Sequence, residues 1–181
     1  MLTVRAKPRK TVEDFMALPD GVRAELIQGE LFVSPSPRLR HQEIAGRIFR
    51  RLADFVERGE LGFVYDAPID VHLPSGDVVQ PDIVFVAAAN RGVLQDWIRG
   101  VPDLVIEVSP EGIERDRIVK FDLYARNGVR EYWIVDDAHR AVEVFVLRGD
   151  RFSPEGSFTK SQTVGSALLA GFSISIADIF A

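Results

Sequence analysis

Two apolar, largely β-branched runs, each marked by a carboxylate, constrain this chain more than any other stretch. The first, QPDIVFV at 80–86, opens on Pro81 and Asp82 and then turns apolar; the second, VPDLVIEVSP at 101–110, sets Glu107 among Leu104, Val105, Ile106 and Val108. Runs of this kind predict strands covered on both faces. An ionised side chain inside such a strand is costly unless it is paired or holds a metal. Placed side by side, the two strands could aim Asp82 and Glu107 at one cation.

With 181 residues and 46% hydrophobic content, the chain suits one domain over 1–181 with a substantial core. Cysteine is absent from the sequence, which excludes disulfides, thiolate chemistry and cysteine-ligated zinc or iron–sulfur sites. The segment MLTVRAKPRK has basic residues without a following apolar region, and no apolar stretch approaches the roughly 20 residues that span a bilayer. A cytoplasmic protein without a membrane partner is expected. The net charge of −5 argues against a general coat for nucleic acid, which needs clustered Lys and Arg. A local cluster exists, however. Arg38, Arg40, Arg47, Arg50, Arg51 and His41 stand against the single acid Glu43, either as a basic face or as an ordinary solvated helix face.

Periodicity places the elements. Thr11 before VEDFMALP, with Asp14 three residues on, predicts a short capped helix ended by Pro19. RAELIQGELFVSP predicts a hairpin around Gln28 and Gly29, with Glu25 and Glu30 flanking the turn. Ile44, Ile48, Leu52 and Phe55 or Val56 recur at helical spacing and predict a long helix over 41–58, stopped by Gly59 and Gly62. GFVYDAPIDVHLPSG reads as one long strand turning at 74–77 into the Asp82 strand, and 87–100 as a loop with a short helix near 93–98. A second helix follows Pro110 through Ile118, Val119, Phe121, Leu123 and Ala125, closed by Asn127 and Gly128. REYWIVD is then a strand parallel to the Glu107 strand, because strand–helix–strand crossovers are right-handed. A hairpin from 141 and a tail with a short strand and a final turn complete one α/β domain, whose open sheet edges would allow a homodimer.

Each charged residue also has an ordinary explanation. Pro-Asp is common punctuation at a strand start, Glu107 could sit in a buried salt bridge to Arg130 or Lys120, and Lys120 could extend along a helix edge to water. The crossover, however, could carry Lys120, with Asp116 and Tyr124 nearby, over the strand ends that hold the two acids. Two carboxylates and an amine suit a hard divalent ion, Mg²⁺ or Mn²⁺, that keeps several waters and binds phosphate oxygens. Phosphodiester hydrolysis is the chemistry such a set supports.

Pro81-Asp82 followed by Glu107 resembles the PD-(D/E)XK nuclease superfamily. More closely, the chain resembles the Uma2 family (DUF820) of restriction-endonuclease-like proteins. The resemblance runs through ELIQGELFVSPSP, the helix from His41, QPDIVFV, LVIEVSP, the helix with Asp116, Lys120 and Tyr124, GVREYWIVD and LLAGFSISIADIF. It implies a restriction-endonuclease-like α/β core of order α-β-β-β-α-β, a mixed central sheet flanked by helices, with extra N- and C-terminal hairpins. It further implies Asp82 and Glu107 as metal ligands, the backbone carbonyl of Val108 as a third, Mg²⁺ or Mn²⁺ as cofactor and DNA as substrate. The superfamily's lysine position is occupied here by Ser109; in Uma2-like sequences the lysine is displaced to the following helix, where Lys120 fits. Glu30 or Glu25 would supply the additional acid that the superfamily carries before the sheet, and His41 is a lesser candidate. The expected function is a Mg²⁺-dependent endonuclease. The alternatives are a catalytically inactive nuclease-fold binding module, favoured by the acidic charge and by Ser109, and a hydrolase of small phosphate esters.

Overall fold

The computed structural model of the protein describes residues 8–19, 21–109 and 114–181, without the side chains of 114–117. Helix α1, Val12–Met16, begins with a reciprocal cap: the Thr11 hydroxyl accepts from the Asp14 N–H at 3.3 Å, and the Asp14 carboxylate accepts from the Thr11 N–H at 3.0 Å. Strands β1, Ala24–Ile27, and β2, Glu30–Val33, join through Gln28 and Gly29. Their φ values of 53° and 79° are those a two-residue hairpin turn demands. Helix α2, Leu39–Arg58, buries Ile44, Ala45, Ile48, Leu52 and Val56 along one stripe. At about 2 kcal/mol for each large buried aliphatic side chain, this packing outweighs the helix's intrinsic propensity.

The single long strand expected over 62–76 is two pieces in different sheets. Strand β3, Gly62–Asp66, ends before Pro68, which has no N–H to give to a ladder. The chain then enters β4, Val71–His72, which turns into β5, Val78–Val79. Strand β6, Ile83–Ala87, returns to pair with β3. The short helix expected near 93–98 lies instead at Ala88–Val93, as a 3₁₀ turn, and β7, Ile98–Arg99, runs parallel to β4. Strand β8, Leu104–Ser109, helix α3, Glu114–Asn127, and strand β9, Glu131–Asp136, form the expected parallel crossover, with Glu107 opposite Ile134. Gly128, at φ 90°, closes α3 by donating to the carbonyls of Tyr124 and Ala125. The hairpin of β10, Ala141–Arg148, and β11, Arg151–Thr159, is followed by β12, Thr163–Gly165, β13, Ser173–Ser175, and α4, Ile176–Ile179.

Among the described residues, the strands form two mixed sheets and a two-stranded antiparallel ribbon of β12 and β13. The larger has the order β11-β10-β9-β8-β6-β3 and the smaller β2-β1-β5-β4-β7. Alternate residues of β6 and β8 face opposite ways. Phe85 and Ile106 pack with the α2 stripe and the tail, whereas Val84 and Val105 pack with Leu123 and Tyr124 of α3 and with Val71 and Val79 of the smaller sheet. The carboxylate at position 107 shares the second face. Among the described residues, no helix is long and apolar enough to cross a membrane.

The tail is anchored from inside. Glu131, fully buried on β9, accepts hydrogen bonds from Trp133 Nε1 at 2.6 Å and from Ser166 Oγ and the Leu168 N–H at 3.0 Å each. Burial raises its pKa, and these donors act in the opposite direction. Replacing Glu131 with alanine strands the Trp133 and Ser166 donors and should lower unfolding free energy by about 3 kcal/mol. Urea denaturation should show this as a lower midpoint at unchanged slope.

Candidate active site

A cleft of about 860 Å³ opens where β1, β2, the 34–38 loop, the start of α2, the C-terminal end of β8 and α3 meet. Asp82 enters it just before β6. Its Oδ2 accepts the Val108 N–H at 2.7 Å and shares a hydrogen bond with His41 Nε2 at 3.1 Å. Val108 thus holds the carboxylate through the backbone of the neighbouring strand, and His41 holds it from the first turn of α2.

Glu107 projects from the next strand toward α3. Its Oε1 accepts from Lys120 Nζ at 2.9 Å and from the Tyr124 hydroxyl at 2.7 Å. Lys120 and Tyr124 are four residues apart, so they lie on one face of the helix. The same ammonium lies 2.9 Å from Glu25 Oε1, which also accepts the Gln80 N–H at 2.9 Å. One lysine is therefore shared between an acid of each sheet.

The charge balance is tilted toward the acids. Burial drives the Glu107 carboxyl upward, Lys120 pulls it back, and Asp82 and Glu25 raise it again, leaving it at about 7. Burial works against the Lys120 ammonium, but Glu107 and Glu25 outweigh it and hold its pKa well above the usual lysine value. Tyr124 is held well above the usual phenol value by burial and the same acids, so it remains a donor. The hydrogen bond to Asp82 raises His41 against the effect of burial, and its Nδ1 is buried with no partner among the described residues.

The structure thus brings Asp82, Glu107 and Lys120 to one cleft and adds His41. It does not bring Glu30, which is exposed at the start of β2 and outside the cleft lining; Glu25 stands there instead. The reason is position in the hairpin: Glu30 sits beside the turn on the edge strand, whereas Glu25 lies opposite the cleft-lining Phe32 on β1, which has a neighbour on each side and all four residues buried. The signal that singled out Glu107, an acid inside an apolar strand, was also present at Glu25. Ser109 lines the cleft, Arg130 pairs with Asp103 at 3.0 Å rather than with Glu107, and the side chain of Asp116 lies outside the described residues. Among the described residues, no group of three or more His, Asp or Glu is arranged around one point as a metal cage.

Removing the shared cation should be severe. Lys120→Met leaves two buried carboxylates facing each other, at an expected cost of about 3–5 kcal/mol in chemical denaturation at neutral pH. A second expectation concerns pH. Native Glu107 retains its proton between about 4.5, where the unfolded chain releases it, and about 7. Its contribution to stability therefore falls as pH rises through that window. In EDTA, the urea midpoint of Glu107→Gln should fall less over this range than that of the unmodified chain.

No curated protein is significantly similar to this sequence. A solved structure described as "a putative nuclease belonging to DUF820 from Anabaena variabilis ATCC 29413" is similar in fold, with a TM-score of 0.79 over 94% of this chain and 97% of that one. At 18% identity, that likeness speaks for the fold alone. The Uma2 family, described as "putative restriction endonuclease", matches residues 12–177. With nearly its whole length matched, the chain belongs to the Uma2 family.

Proposed function

We propose that the protein is a Mg²⁺- or Mn²⁺-dependent endonuclease that hydrolyses phosphodiester bonds of DNA. The observation that carries this reading is the convergence of Asp82, Glu107 and Lys120 in one open cleft. Membership of a family described as "putative restriction endonuclease" supports it.

The residues fit a hard divalent ion by their chemistry. Two carboxylates face the cleft, and the one at 107 sits among more negative than positive charge. Asp82 and Glu107, with the Val108 carbonyl, would hold an ion that keeps several waters. The chemistry supplied by such an ion is acidification of a water and neutralisation of phosphate charge. Lys120, a cation at neutral pH, is unsuited to act as a base. Its ammonium instead steadies charge on the phosphate or orients the attacking water. Glu25 fixes that ammonium, and His41 with the Val108 N–H fixes the orientation of Asp82.

One observation favours a second reading, a binding module without turnover: Lys120 is committed to two carboxylates, as in a purely structural ion-pair network. Supercoiled plasmid separates the two. The endonuclease should nick it with Mg²⁺ or Mn²⁺ and not in EDTA, and Asp82→Asn or Glu107→Gln should each reduce the rate by roughly 100-fold or more. Either ion should also raise the melting temperature of the unmodified chain and not of these variants. Stabilisation that persists in both variants would reject the site. Stabilisation of the unmodified chain alone, without nicking, would favour the binding module.

A further inference from the structure

The cleft is lined by two kinds of residue: the acids, Lys120, Arg23 and Arg38, and the apolar Ile27, Phe32, Val33 and Val119. Val33 is 70% exposed, and Leu39 and Ile118, next in sequence to the lining residues Arg38 and Val119, are 77% and 65% exposed. Val33 therefore offers a ligand in the cleft an open apolar contact.

The basic groups point to a limited grip on phosphate. Among the described residues neither Arg23 nor Arg38 makes an ion pair, and Nε of Arg23 is buried with no hydrogen-bond partner. The other arginines of α2 are largely spent inside the fold. Arg40 binds Asp137 and the carbonyls of Phe180 and Ala181, Arg47 the Ile179 carbonyl, and Arg51 the Asp178 carboxylate. A duplex presents mainly its phosphates, and proteins that hold it by the backbone neutralise many of them. Two free arginines at the cleft, among the described residues, on a chain of net charge −5 cannot do that. An unpaired strand also offers base faces, which pack on aromatic and apolar side chains.

We infer that the cleft takes DNA as an unpaired strand, with one or two phosphates on Arg23 and Arg38 and a base against Phe32 and Val33. This inference rests on the nuclease reading of the same site, whose substrate it narrows.

The test is fluorescence anisotropy on the full chain, with Ca²⁺ replacing Mg²⁺. The probes are a short labelled oligodeoxythymidylate and a blunt duplex of equal length. The single strand should bind at least roughly tenfold tighter than the duplex. With two phosphates engaged, log K against log salt should have a slope of about −1.4. The open position of Val33 makes Val33→Ser safe for folding, and this variant should weaken the single strand by roughly threefold to tenfold while leaving the duplex unchanged. Arg38→Ala should weaken the single strand and flatten its salt slope by about 0.7. Equal or tighter duplex binding, a slope steeper than about −4, no binding of either probe, or an unaltered Val33→Ser would each overturn the inference. Plasmid nicking with duplex preferred would overturn the inference and leave the nuclease reading standing. Single-strand preference without metal-dependent cleavage of any DNA would do the reverse.

Discussion

The shared lysine is the contact on which the cleft depends. Glu25 comes from the smaller sheet, Glu107 from the larger, and Lys120 from the helix that crosses between two parallel strands of the larger sheet. Buried carboxylates brought together without a cation would repel strongly in a medium of low polarity. One ammonium 2.9 Å from both makes their approach tolerable and pins α3 over the end of β8. It does not cancel the charge, because Asp82 stands close enough to push Glu107 further up. The residual deficit of positive charge is what the proposed divalent ion would balance.

The parts of this arrangement differ in how far they could be read from the residues. Asp82 and Glu107 were legible because a charge in a β-branched run is expensive, and the expense is visible in the letters themselves. Lys120 became legible through handedness: once two strands and a helix are read as a crossover, the helix must lie over the sheet that holds Glu107. Glu25 and Glu30 could not be separated, since both flank the same turn and neither strand is long enough to display a burial pattern. What distinguishes them is which strand of the hairpin takes a further neighbour, and β5, which pairs with β1, arrives much later in the chain. The strand at 62–76 failed for a related reason. The single-strand reading passed over the break signal at Pro68, and local chemistry could not say that β4 on its far side belongs to another sheet.

The arginines of α2 show how a charge count misleads. Read in order, 38–51 resembles a nucleic-acid-binding face. Folded, three of its five arginines are held by the C-terminal tail or by Asp137, so their charge serves cohesion. Arg38 is left at the cleft, and Arg50 is exposed.

The order in which the site's parts occur along the chain has a consequence for biosynthesis. Glu25, Asp82 and Glu107 all precede α3, so a nascent chain that has emerged only through β8 carries the three acids and not their lysine. Domains fold as units as they are made, from the N-terminus onward. Closing the two sheets at that stage would bury the acids without their cation, so closure is favoured only once the helix that carries Lys120 has been added.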